Sequence, residues 1–240
     1  MAILSADVSE CAYQSAGWVL VSVAVDSDLG ERAVNAGVLP GIVAYSSSMN
    51  ERLREEAAWA LANLSAISLN AHAMAEPLVI TTLLDLVRTG GAQPRVCMQA
   101  VWAVANLAVH DYLKRTLVEH GAVEILMEQI RLHLNEREGH SAGVSEPATD
   151  DSIELLNSTL QQSVRAVANL AVEAGNRAHV AAGDGLSIVL RATSLSSFLP
   201  LKEVSARCLV HLSFDTHTLQ RFIQVRSFAL AMHRWGKVLC

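Results

Sequence analysis

Apolar residues recur along this chain at helical spacing. In the stretch AAWALANLS (57–65), Ala57, Ala60, Leu61 and Leu64 fall on one inward face of a 3.6-residue helix. The phrase returns as AVWAVANLAV at 100–109 and SVRAVANLAV at 163–172. Weaker copies are AGWVLVSVAV at 16–25 and SARCLVHLSF at 205–214. Aligned on the asparagine of the strong copies, the anchor positions are Ser22, Asn63, Asn106, Asn169 and His211. They are spaced by 41, 43, 63 and 42 residues. A period of this length marks a stacked repeat, because no single copy can bury its own apolar faces.

Each period predicts three helical segments. A short one follows each anchor, at 28–36, 69–75, 111–120, 176–182 and 216–224. A break comes next, at Gly37, at Glu76-Pro77, at Gly121 and at Gly183/Gly185. A second helix follows, and a third and longer one ends in the anchor phrase. Cap signals mark the third helices: Asn50 ahead of Glu51, Pro94 in a first-turn position, and Pro200 ahead of Lys202-Glu203. The one long interval exceeds the others by about 20 residues. Its surplus lies at 135–158, where NEREGHSAGVSEPATDDSIELLNS holds Gly, Ser, Pro and acid with little apolar periodicity before Ile153. A flexible acidic surface loop is expected there.

A period near 42, three helices, a glycine between the first two and ALxNL-type phrasing on the third resemble the armadillo repeat family. The resemblance covers nearly all of 9–234, with five copies in phase. It implies an all-α fold, a right-handed α-solenoid of about four to five armadillo repeats, with a concave groove lined by the third helices. The whole chain, 1–240, then reads as one armadillo-repeat domain with incomplete terminal repeats. No polar cap is evident at either end, which suggests a piece of a longer array.

The residue four positions before each anchor shares its helix face. The pairs are Trp18/Ser22, Trp59/Asn63, Trp102/Asn106, Arg165/Asn169 and Arg207/His211. Three of the four tryptophans sit on this register. WxxxN pairs on consecutive repeats resemble those of the importin-α family of nuclear-import adaptors, where they imply a site for a lysine-rich peptide. Trp59, Asn63, Trp102 and Asn106 match that motif, and Trp18 matches half of it. The chemistry is coherent on general grounds. An asparagine amide can both donate to and accept from an extended backbone. Parallel indole faces can sandwich cationic side chains, at about 0.5–2 kcal/mol each. Helices about 8–10 Å apart would meet an extended peptide every two to three residues.

Charge adds a direction. Residues 1–134 carry fourteen acids and eight bases. The segment 135–158 carries six acids against Arg137, and 159–240 carries four acids and nine bases. The rung residue changes from Trp to Arg along the same gradient. The acidic half therefore suits a basic or neutral extended peptide. Arg165 and Arg207 suit an acidic segment, either a partner's or the chain's own insert.

The remaining chemistry is sparse. Cys11, Cys97, Cys208 and Cys240 form no CxxC pair and read as buried thiols of a reducing compartment. Nine histidines without HExxH imply no metal. Gly183-Asp184-Gly185 is a helix break rather than a phosphate loop. No nucleophile, paired-acid site or cofactor motif stands out, so no enzyme, cofactor or small-molecule substrate is implied. The acidic balance, with pI near 5.8, disfavours nucleic acid. No stretch reads as a membrane span, and no targeting segment is visible. The expected protein is a non-enzymatic interaction module, cytoplasmic or nuclear, that binds an extended peptide. Import-type recognition of basic cargo and a purely structural scaffold in a cytoskeletal, ciliary or vacuolar assembly are the alternatives.

Overall fold

The computed structural model describes residues 10–89, 92–141, 149–195 and 198–224, and every element within them is helical. The chain divides into two compact units, Met1–Leu113 and Lys114–Cys240. Trp235, the tryptophan off the rung register, lies outside the described residues.

In the N-terminal unit the third helices are α1 (Glu10–Val25), α4 (Glu51–Ala66) and α6 (Pro94–Leu107). Between them come α2 (Ser27–Asn35), α3 (Leu39–Ser46) and α5 (Pro77–Arg88). The short helix of the second period is reduced to two 3-10 turns, Ser68–Asn70 and Ala73–Ala75. Helix α4 packs against α1 on one side and α6 on the other. Ala58, Ala60, Ala100 and Ala103 are fully buried. Small side chains at these places let neighbouring helices approach closely, while Leu61, Leu83 and Leu107 fill the space behind them.

The C-terminal unit repeats the plan after α7 (Asp111–Glu119), within which the unit boundary falls. It holds α8 (Ala122–Ser141), α9 (Asp150–Leu170), α10 (Ala174–Ala181), α11 (Gly185–Leu195), α12 (Leu199–Ser213) and α13 (Thr216–Gln224). The third helices here are α9 and α12, packed side by side.

The expected punctuation is present. Gly37 and Gly121 lie at φ 81° and Gly183 at φ 53°, where a residue with a Cβ would be strained. Asn50 accepts the Arg52 N–H at 3.0 Å and caps α4. Two buried asparagines share a job that the anchor alignment does not reveal. Asn70 Nδ2 donates to the Leu64 carbonyl at 3.2 Å, and Asn176 Nδ2 to the Leu170 carbonyl at 3.1 Å. Each adds a second donor to a carbonyl near the end of a third helix, beside the backbone N–H of Ile67 or Glu173.

The segment 135–158 differs from the expected loop. Helix α8 runs on to Ser141 and α9 begins at Asp150, so helix covers most of it; 142–148 lie outside the described residues. The physical reason is a local cap joined to cross-helix pairs. Thr149 caps α9 by accepting the Ser152 N–H, and Asp150 and Asp151 occupy the positive first turn. Arg137 on α8 donates to Asn157 on α9, and Arg191 on α11 clamps Glu138 with Nε and Nη2 at 2.8 and 2.6 Å. Such cross-helix partners are invisible to apolar periodicity.

Cys97 and Cys208 are buried thiols, as read from the sequence, and neither is in a disulfide; Cys240 lies outside the described residues. Burial pushes each thiol up to about 12, so neither is a nucleophile near neutral pH.

Candidate functional site

The third helices carry the rung residues outward. Trp18 is 58% exposed, Trp59 37% and Trp102 40%, so these indoles are not core packing. In the N-terminal unit Trp18 and Trp59 wall an open cavity of about 480 Å³. Glu51, Arg52, Glu55 and Glu56 complete its lining. Glu55 and Glu56 precede Trp59 by four and three residues, which places all three on one face of α4.

Glu56 is the most informative of these. It is only 6% exposed. Its Oε1 accepts from Arg52 Nε at 3.2 Å, but its enclosed Oε2 has no donor. Gly17 on α1 makes the room: a Cβ there would fall 2.1 Å from Glu56 Oε2 and 3.4 Å from Tyr45 Cε1. An enclosed, half-satisfied carboxylate thus stands beside two exposed indoles.

The asparagines of this unit are not equivalent. Asn63 is half-buried, and its enclosed Nδ2 donates to nothing in the chain. Asn106 Nδ2 donates to Ser65 Oγ on α4 at 3.1 Å, which ties α6 to its neighbour. Ser22, the half-matched rung, spends its hydroxyl on the Trp18 carbonyl at 2.8 Å.

The C-terminal unit presents different chemistry on the same positions. Arg165 is half-buried and donates to Gln162 Oε1 at 2.9 Å. Arg207 is exposed and reaches from α12 to Asn169 Oδ1 on α9 at 3.3 Å. Burial and then the neighbouring Arg207 charge hold the Arg165 guanidinium below its ordinary value. His211 is also held low, first by burial, then by the positive charges of Arg207, Arg177 and Lys114. Arg177 adds a fixed cation: its guanidinium donates to the Ala171 and Val172 carbonyls at 3.1 and 2.9 Å, and lies 5.5 Å from the Phe214 ring centroid.

The rung register thus brings Trp18, Trp59, Asn63, Trp102 and Asn106 together in one unit, and Arg165, Asn169, Arg207 and His211 in the other. Sequence reasoning missed Glu55, Glu56 and Gly17, although EEAA, the four residues before Trp59, carried the helical spacing. It also missed Arg177, whose link to the rung depends on a fold-back after α9. Among the described residues, no group of three or more His, Cys, Asp or Glu could hold a metal ion. No described helix is long and apolar enough to cross a membrane.

Comparison with known proteins gives one matched repeat and the fold. Residues 31–66 match the Armadillo/beta-catenin-like repeat model. No curated protein sequence matches the chain. Among solved structures, the designed armadillo repeat protein YIII(Dq)4CqI superposes with a TM-score of 0.77 at 18% identity, covering 97% of this chain and 89% of that one. A second designed armadillo repeat protein, YIII(Dq.V1)4CPAF, solved in complex with the peptide (KR)4, gives 0.70 at 20% identity, covering 88% and 79%. SYS-1 gives 0.67 at 15% identity, over 84% of this chain and 34% of that one. With a matched repeat at 31–66 and this shared architecture, the chain has the all-helical α-solenoid fold of armadillo repeat proteins.

Proposed function

We propose that the third-helix face of the N-terminal unit binds an extended basic peptide from a partner protein. The observation that carries the reading is the cavity between Trp18 and Trp59, lined also by the carboxylate residues Glu51, Glu55 and Glu56. A lysine or arginine side chain entering there stacks its stem between the indoles and brings its charge to Glu56, with Glu51 and Glu55 beside it. Arg52, whose side chain is largely exposed, is the group an incoming cation displaces. This unit carries eleven acids and five bases, so its whole field favours a cationic ligand. A designed protein of the same fold was solved with a (KR)4 peptide, which supports the ligand class. A nuclear-localisation peptide has this chemistry, and a cytoplasmic and nuclear location would follow from carrying one.

The test is fluorescence anisotropy with a labelled eight-residue peptide of alternating lysine and arginine. Trp59→Ala with Trp102→Ala weakens binding at least about fivefold, and Glu56→Gln weakens it with a shallower salt dependence. Equal affinity of all three proteins sinks the reading. Capture of a natural partner that survives loss of both indoles favours instead a scaffold that binds through its helix edges.

A further inference from the structure

We infer that the third helices of the N-terminal unit carry a further, apolar row, Val25, Ala66 and Val109, which selects a peptide whose cationic residues alternate with apolar ones. The inference rests on the proposed binding of a basic peptide to this unit and names the sequence class of that peptide.

Each of these residues lies three positions beyond its anchor, Ser22, Asn63 or Asn106. Val25 and Ala66 are the last residues of α1 and α4, so each stands about one turn beyond its anchor on the same face. Val109 follows α6 in a tight turn, its N–H donating to the Asn106 carbonyl at 3.2 Å, which sets it in line with that anchor. The same turn recurs in the C-terminal unit, where the Val172 and Phe214 N–H groups donate to the Asn169 and His211 carbonyls at 3.4 and 3.3 Å. All five positions are exposed and all five are apolar. A single exposed valine is ordinary, but the same exposed place filled five times by an apolar side chain is a surface held free of charge. In the C-terminal unit the Arg177 guanidinium lies against the Phe214 ring. In the N-terminal unit Val25 and Val109 stand open, at 66% and 54% exposure.

Helix α4 packs between α1 and α6, so indoles, anchors and apolar residues form three parallel rows across the unit. At 1.5 Å per residue the indoles lie about 6 Å from the anchors on one side, and the apolar row about 4.5 Å on the other. An extended chain laid over the anchors turns successive side chains to opposite sides. Those on one side reach the indoles and the carboxylates of Glu51, Glu55 and Glu56. Those on the other meet Val25, Ala66 and Val109, and the small Ala66 between two valines leaves room for them. A lysine on that second side finds no side-chain acceptor in the row for its charge, whereas a valine buries its methyl groups there.

The probes are two labelled eight-residue peptides, one alternating lysine with valine and one alternating lysine with serine. Each is titrated by anisotropy against the whole protein. The lysine–valine peptide is expected to bind at least about fivefold tighter. Val25→Ser with Val109→Ser, both at exposed positions, lowers its affinity to that of the lysine–serine peptide and leaves the latter unchanged. Trp59→Ala with Trp102→Ala weakens both peptides alike. Equal affinity of the two peptides for the wild type, or an equal loss of both in the double valine variant, overturns the inference while the basic-peptide site stands. Binding of both peptides that ignores loss of the indoles overturns the basic-peptide site itself, and the role of the apolar row with it.

Discussion

The two units place different chemistry on one backbone plan. In each, a third helix offers two residues one turn apart, and neighbouring third helices lie side by side. The N-terminal unit uses tryptophan in the first position, and the C-terminal unit uses arginine. The surroundings follow the same split. The entire net charge of −6 resides in the N-terminal unit, since the C-terminal unit carries thirteen acids and thirteen bases. Beside the indoles stands an unpartnered carboxylate, and beside the arginines stand neutral acceptors and more cations. The repeat therefore dictates where a rung side chain is displayed, while its partners on adjacent helices set the charge around it.

The largest effect that would break this comparison is at the indoles. Two lost cation–π contacts, at about 0.5–2 kcal/mol each, correspond to roughly fivefold to several-hundredfold in affinity for a basic peptide. Isothermal calorimetry on Trp59→Ala with Trp102→Ala checks this. An equal loss for an acidic peptide would show that the units do not differ as described.

Next in size is Gly17→Ala. The new methyl would overlap Glu56 Oε2, whose residue is boxed in beside Tyr45, so the carboxylate must move. Overpacking of this kind costs about 1–3 kcal/mol. Thermal denaturation should show the loss, and basic-peptide affinity should fall with it. A fully stable Gly17→Ala protein with normal binding would remove Glu56 from the site.

A third experiment sharpens the other side. The His211 pKa is depressed in the folded chain, with Arg207 on its own helix, Arg177 on α10 and Lys114 on α7 adding to burial. The unfolded chain therefore binds the proton more readily. The stability linked to neutral His211 is present above its ordinary pKa of about 6.5 and is lost as pH falls from there toward the folded value. Urea denaturation across that window should show a weaker pH slope in His211→Gln than in the wild type, and an identical slope would contradict the cation cluster.

The smallest effect is at the half-matched rung. Ser22 bonds its own helix, so Ser22→Asn would add a peptide-facing amide at the price of one local bond. A gain of about 0.5–1.5 kcal/mol in basic-peptide binding is expected, read by anisotropy. No gain would mean that the Trp18 rung holds side chains without gripping backbone.

Much of this was legible from residue order because repeats make one signal several times. Helix boundaries, glycine breaks and the outward register of Trp18, Trp59 and Trp102 all follow from apolar spacing and local capping. Asn50, Pro94 and Gly121 act through neighbours a few residues away, so their roles are readable without the fold. The segment 135–158 was harder, since Glu138 and Arg137 are held by residues on other helices.

What the sequence determined by itself was the armadillo plan and the ladder of paired positions, since both rest on contacts within one helix or its end. Only tertiary structure decided the chemistry of each rung. Glu56 is left half-satisfied because Gly17, 39 residues away, admits it against α1. Asn63 and Asn106 look identical in sequence, yet Ser65 occupies the donor of one and nothing occupies that of the other. Arg207 is aimed by Asn169 on the adjacent helix. Which polar atom meets a partner depends on what packs across from it, and that is set by the stacking of helices rather than by position in the phrase.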